Sequence, residues 1–220
     1  MLAILKEWSR LSNLLAKNPT PKDEQVALTR YQNLENPQFI EQQEQMALMG
    51  LHPHEESFFN QRLDGISKNL PLLVVGCGCG RQAIALAQKG YAVDGIDDSA
   101  SLVRRARSLS TVFNLPLHFD CKSLTELPDS KKYGLIFVTD SLINLIPSFE
   151  LRVAFLQKAK QLLVPAGILC LETDFLLLSG ANRFQMAHEF FPNKKALNNE
   201  MRASGFVDPQ DYEDFFWAKA

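Results

Sequence analysis

Apolar positions recur at two different periods along this chain, and the change of period divides it. Leu2, Leu5, Trp8, Leu11 and Leu15 return at steps of three and four residues, which places them on one face of a helix. Asn18-Pro19 ends that helix, and Thr20 with Pro21 has the form of an N-cap followed by a first helical residue. The second helix carries Val26, Leu28 and Tyr31. Asn36-Pro37 repeats the start signal, Phe39, Ile40, Gln43, Met46 and Ala47 continue the pattern, and Gly50 can close it. His52-Pro53-His54 reads as a turn, and Phe58, Phe59, Leu63 and Ile66 as one more helix. Residues 1–69 are thus expected to be a helical N-terminal extension.

From Pro71 the pattern is different. Leu72 to Val75 is a short, wholly apolar run followed by glycines, the mark of a buried parallel strand. Residues 82–89 read as a helix with Gly90 beyond its end, and residues 91–96 as a second strand. Ser99 caps a helix containing Leu102, Val103, Ala106 and Leu109. Residues 117–119 and 134–138 read as strands three and four. Ser148 starts a helix with Leu151, Ala154, Phe155, Ala159 and Leu162 on one face, and residues 168–171 form a fifth strand. Strand and helix alternate throughout, which predicts an α/β fold with a parallel sheet covered on both sides. In the tail, Asn193 can cap a helix that runs to Ala203, and Gly205 stops it. Residues 207–212 and 215–218 are close enough to pair as an antiparallel hairpin. Residues 70–220 are expected to be one domain.

Composition narrows the partners. The chain is 46% hydrophobic and 22% charged, ordinary for a globular protein, with a formal net charge of −2. That balance argues against nucleic acid as the main partner, because phosphate binding calls for a basic surface. The apolar N-terminus is interrupted by Lys6, Glu7 and Arg10, so neither a secretory leader nor a membrane span is expected. Of the four cysteines, Cys77 and Cys79 make C-x-C, not the C-x-x-C of zinc sites. The expectation is reduced thiols, a cytoplasmic location and no metal.

The richest segment is Val75-Gly76-Cys77-Gly78-Cys79-Gly80-Arg81. A glycine-rich turn between a buried strand and a helix lets a ligand approach the backbone. The spacing here is G-x-G-x-G, where a dinucleotide loop has G-x-G-x-x-G, and Arg81 stands where the third glycine of that pattern would be. This favours a nucleoside ligand over one with a pyrophosphate on the helix end. Arg81 itself could meet a ligand carboxylate or be a solvated helix residue. Asp97 ends the second strand about twenty residues after the loop, the place of a ribose-binding carboxylate in such folds. Asp98 beside it reads as a solvent-facing or capping neighbour. At the end of the third strand, Asp120 could accept a hydrogen bond from an exocyclic adenine amine, with the backbone N–H of Cys121 meeting a ring nitrogen.

Taken together, these residues resemble the class I S-adenosylmethionine-dependent methyltransferases over residues 70–206. Residues 74–80 are similar to the first motif of that family, Gly95-Ile96-Asp97 to the second, and Asp120-Cys121 to the adenine-contacting pair. Leu163-Val164-Pro165-Ala166-Gly167 resembles the L-x-P-G-G turn, and residues 201–206 the final helix-to-strand passage. The resemblance implies a Rossmann-like, seven-stranded, mostly parallel sheet with its last strand antiparallel. It also implies S-adenosyl-L-methionine as cofactor, held by Val75, Gly76, Cys77, Gly78, Gly80, Arg81, Asp97, Asp98, Asp120 and Cys121. Two departures stand out. The family often has an acid where this chain has Val74, and Ala166 replaces the first glycine of the turn.

Methyl transfer from a sulfonium needs alignment and exclusion of water more than it needs a base. By fold logic the acceptor lies outside the carboxyl ends of the strands, which nominates Asp140 as the group that orients or deprotonates it, with Asn144 and Asp174 nearby. Tyr31, His52, His54 and His188 could reach in from flanking segments, and the N-terminal helices could be a lid. A small-molecule acceptor is expected from the compact chain and the absence of a basic stretch. A protein acceptor, or a cofactor-binding protein without catalysis, is the alternative. A nicotinamide dehydrogenase is disfavoured by the glycine spacing.

Overall fold

The computed structural model of the chain describes residues 36–139, 142–146, 148–172, 194–212 and 215–220. The two helices expected before residue 36 lie outside them. The first described helix, α1 (Pro37–Ala47), starts as its sequence predicts: Asn36 caps it by accepting the Gln38 N–H at 2.9 Å, with Pro37 at the first position. Helix α2 (Pro53–Leu63) begins five residues earlier than its apolar pattern suggests. His52 is its N-cap, Pro53 its first residue, and the Glu55 carboxylate accepts the His52 N–H at 2.6 Å. The expected turn at 52–54 is therefore a helix start.

The sheet strands are β1 (Leu72–Val75), β2 (Val93–Asp97), β3 (His118–Cys121), β4 (Tyr133–Val138), β5 (Leu163–Glu172), β6 (Val207–Tyr212) and β7 (Phe215–Lys219). The helices between them are α3 (Arg81–Gln88), α4 (Ala100–Val112), α5 (Phe149–Leu162) and α6 (Lys194–Ala203). The strand order is β3-β2-β1-β4-β5-β7-β6. Strands β1 to β5 are parallel, and β7 runs antiparallel to both β5 and β6. The sheet is thus seven-stranded and mostly parallel, as expected. The chain winds outward from β1 to β3 and then returns to β4 on the other side of β1. In such a sheet the crevice at the reversal, between the carboxyl ends of β1 and β4, is where ligands bind.

Strand residues alternate between two apolar layers. Leu73, Val75, Ile136, Val138, Leu169 and Leu171 pack against α5 and α6, and Leu72, Val74, Leu135, Phe137 and Cys170 face α2, α3 and α4. Helix α2 is an integral part of the second layer. Phe58 and Phe59 are fully buried, with the Phe58 ring tilted against Phe215 at 4.6 Å and Phe59 edge-on at 5.0 Å to Phe137. Its outer side reaches the hairpin, where Gln61 donates to the Tyr212 hydroxyl at 3.0 Å and the Arg62 guanidinium lies 4.1 Å above the Trp217 ring. A boundary at residues 69/70 therefore separates segments that share one core. Val74, where the family often has an acid, is buried in this same layer.

The 163–167 segment is part of β5 instead of a turn before it. Tyr133 pairs with Leu163 but Leu135 with Ile168, so three extra residues bulge out of the ladder. Ala166 sits in that bulge at φ +62°, a left-handed conformation that disfavours a side chain. The glycine expected there by resemblance would adopt it without strain.

Candidate functional site

The glycine loop leaves β1 and turns into α3 by three left-handed residues, with φ +74° at Gly76, +53° at Gly78 and +94° at Gly80. Gly76 and Gly80 also have a packing reason. A Cβ on Gly76 would stand 2.8 Å from Leu142 and 2.9 Å from the Thr139 hydroxyl, and one on Gly80 would stand 2.8 Å from the Phe119 ring. The backbone N–H groups of Gly76 and Cys77 both donate to the Ile96 carbonyl, at 2.9 and 3.0 Å, which fixes the loop to β2. Thr139, the residue after β4, donates its hydroxyl to the Gly76 carbonyl at 2.5 Å. The loop is clamped from both neighbouring strands, at the place where the sheet order reverses.

Asp97 is the carboxylate of this crevice. One oxygen accepts the Gly78 N–H and the other the Ser99 N–H, each at 2.9 Å, and the residue is only 8% exposed. These bonds orient the carboxyl group between the loop and the start of α4, whose N-cap Ser99 accepts the Leu102 N–H. A carboxylate has about four lone-pair positions, so it can accept from a ligand's hydroxyls while keeping both backbone bonds. The loop and Asp97 therefore fit a nucleoside with its sugar over β2. Asp98 is half-buried, and its carbonyl accepts the Cys121 thiol at 3.6 Å.

Asp120 and Cys121 end β3 beside Asp97, in register Asp97↔Cys121. The Asp120 carboxylate is half exposed and lies 3.0 Å from Lys122 and 3.5 Å from Arg107. Arg107 also holds the Phe119 carbonyl with two donors, at 2.8 and 2.6 Å. Asp120 is thus positioned by cations of its own neighbourhood. The thiols nearby are neutral. Burial pushes the Cys77 thiol well above its ordinary value, with the Asp97 charge adding to it, and burial and Glu44 push Cys79 up to about 12.

Arg81 is not a solvated helix residue. Its guanidinium, 12% exposed, forms a two-nitrogen pair with the fully buried Glu55 and donates to the Gly50 carbonyl at 3.1 Å. The first turn of α3 is thereby tied back to α2. Helix α1 lies across the same region: the Gln43 side-chain oxygen is 3.5 Å from where a Gly78 Cβ would stand. Four of these residues escaped the sequence reading. Gln43 falls within the apolar helix pattern and carries no further signal in the sequence. Glu55 carried a signal, as the third residue after the N-cap His52 in a reciprocal capping pattern. Thr139 and Arg107 carried none.

The acceptor-side nominations fare unevenly. Tyr31, Asp140, Asp174 and His188 lie outside the described residues, and of Asn144 only its place in the short helical turn Leu142–Leu145 after β4 is described. His52 and His54 are brought in. Their rings stack at 5.7 Å, and His54 lies 3.8 Å from Glu172 at the carboxyl end of β5. Burial, and then the Arg81 charge, hold the His52 imidazole below its ordinary pKa.

Residues 72–167 match the model of a methyltransferase domain. The chain is 28% identical over 127 residues to a candidate methyltransferase of Geobacillus sp. (strain WCH70), over 56% of this chain and 51% of that protein. It is 26% identical over 106 residues to a ubiquinone biosynthesis O-methyltransferase of Rhodopseudomonas palustris (strain BisB5), over 47% of this chain and 40% of that protein. The chain thus spans about half the length of the curated relatives it matches, or less. Among solved structures, an S-adenosylmethionine-dependent methyltransferase from Clostridium acetobutylicum superposes with a TM-score of 0.61 at 12% identity, over 76% of this chain and 89% of that one. The amino pentose methyltransferase CalS10 from Micromonospora echinaspora, solved with S-adenosylmethionine bound, gives 0.59 at 14% identity, over 78% and 92%. The magnesium protoporphyrin IX methyltransferase of Synechocystis PCC 6803 gives 0.58 at 20% identity, over 76% and 80%. At these identities the structural likeness is one of fold.

Proposed function

We propose that this chain, whose residues 72–167 match a methyltransferase domain, is a class I S-adenosylmethionine-dependent methyltransferase and that it transfers the methyl group of S-adenosylmethionine to a small-molecule acceptor. The observation that carries the reading is the Asp97 carboxylate, held against the Gly78 and Ser99 N–H groups at the switch point of the sheet. The cofactor supplies an electrophilic methyl carbon on a good leaving group. Everything else falls to the chain's own residues. Gly76, Gly78 and Gly80 give backbone access, Asp97 accepts from the sugar, and Asp120 with the Cys121 N–H takes the base.

Helix α2 is fixed in the core, so α1 is the element suited to cover the loop, with Gln43 over Gly78. The acceptor lies at the carboxyl ends of β4 and β5, where Asp140, Asn144 and Asp174 follow the strands and His54 with Glu172 is at hand. A general base is needed there only if the acceptor arrives protonated. A small acceptor is favoured by the names of the relatives, which refer to ubiquinone, an amino pentose and a porphyrin.

The test has two stages. Calorimetric titration with S-adenosylhomocysteine and with NAD+ should show binding of the first and not the second. Labelled S-adenosylmethionine in cell extract should then place label in the small-molecule fraction. Label in protein would favour the protein acceptor, and binding without any transfer would leave a non-catalytic binding protein.

A further inference from the structure

Glu55 is a fully buried carboxylate that no part of the reaction requires, yet four donors converge on it beside the glycine loop. Both terminal nitrogens of Arg81 reach it, one at 2.8 Å, the Gln82 amide donates at 3.0 Å, and the His52 N–H at 2.6 Å. Arg81 is the first residue of α3, directly after Gly80, and its guanidinium also donates to the Gly50 carbonyl at 3.1 Å. A buried charge pair is costly to assemble and is weak evidence of stabilisation alone. Its placement suggests that the cancelled charge matters.

The ligand before transfer carries a sulfonium, an ammonium and a carboxylate, a net charge of +1. After transfer the sulfonium has become a neutral thioether, and the net charge is zero. An uncompensated guanidinium near the loop would repel the first and not the second. At about 10 Å and an effective dielectric of about 20–40, one unit charge changes affinity by about 4- to 20-fold. We propose that Glu55 is a specificity-determining residue for the cofactor's charge: by neutralising Arg81 it lets the crevice take the sulfonium form in the presence of the product. This rests on the reading that S-adenosylmethionine is the cofactor.

The experiment is a calorimetric comparison of S-adenosylmethionine and S-adenosylhomocysteine on the full chain and four variants. Glu55→Gln leaves Arg81 uncompensated and is expected to weaken the sulfonium ligand about 4- to 20-fold more than the thioether. Arg81→Gln leaves a negative charge and shifts the ratio the opposite way. The double variant returns it to the native value. Glu200→Gln breaks a second buried ion pair, with Arg152 at 2.6 Å between α5 and α6 on the other sheet face. It should lower the melting temperature and leave the ratio alone. Equal effects on both ligands in Glu55→Gln and Arg81→Gln would overturn the proposal and make the pair merely structural. If Glu55→Gln does not fold, Arg81→Gln and the double variant decide. A native chain that binds neither ligand would overturn the cofactor reading instead.

Discussion

The Asp97 carboxylate accepts the Gly78 backbone N–H at 2.9 Å, so the acid of the second strand and the middle glycine of the loop are parts of one assembly. The residue proposed to grip a ligand's sugar thus also sets the shape of the loop proposed to hold the ligand's other end. Asp97→Ala should weaken S-adenosylhomocysteine by about 1–3 kcal/mol, because it strands the hydroxyls and the Gly78 and Ser99 N–H groups together. Asp97→Asn keeps acceptor capacity on one oxygen only and should lose less. Calorimetry checks both, and an unchanged affinity in Asp97→Ala would remove it from the site.

Ala166 gives a prediction of the opposite sign. Its φ of +62° costs a non-glycine residue about 1–2 kcal/mol, while glycine adds entropy to the unfolded chain. Ala166→Gly should therefore stabilise the fold by about 0.5–1 kcal/mol. A denaturant midpoint that moves down would mean the bulge is not strained.

Phe58 tests whether α2 is a layer or a detachable cover. It is fully buried between Phe59, Tyr212 and Phe215. Phe58→Ala should cost about 3–5 kcal/mol in a chemical denaturation curve, the range for a large core aromatic. A loss below about 1 kcal/mol would mean that α2 leaves the sheet easily.

His52 sets a pH dependence. Its folded pKa is held below the ordinary 6.5 by burial and then by Arg81. The unfolded chain therefore takes up a proton first as pH falls through that value. Stability should be lost as pH drops from 6.5 toward the lower folded pKa and be unaffected by this group above it. His52→Asn keeps a capping side chain and should flatten that part of the melting-temperature profile. An equally steep profile in the variant would assign the slope to other groups.

The elements from β1 onward follow the periods of the sequence closely, with ends displaced by one to five residues. The largest differences have physical causes. Helix α2 starts at Pro53 because a capping carboxylate three residues in satisfies the first N–H groups. Strand β5 starts at Leu163 because Leu163 still pairs with Tyr133 while the Pro-Ala-Gly stretch bulges out before the ladder resumes at Ile168. Arg81 was legible as a charged first residue of a helix, but its partner lies twenty-six residues earlier.

The sequence by itself determined the α/β alternation, the G-x-G-x-G loop and the acid at the end of the second strand. These are properties of local period and short spacing, which act before any distant segments meet. The tertiary structure alone decided that α2 belongs to the sheet's core, that β7 inserts between β5 and β6, and that Glu55 cancels Arg81. Each of those depends on surfaces far apart in the chain burying one another, and the free energy of burial is a property of the packed pair and not of either segment.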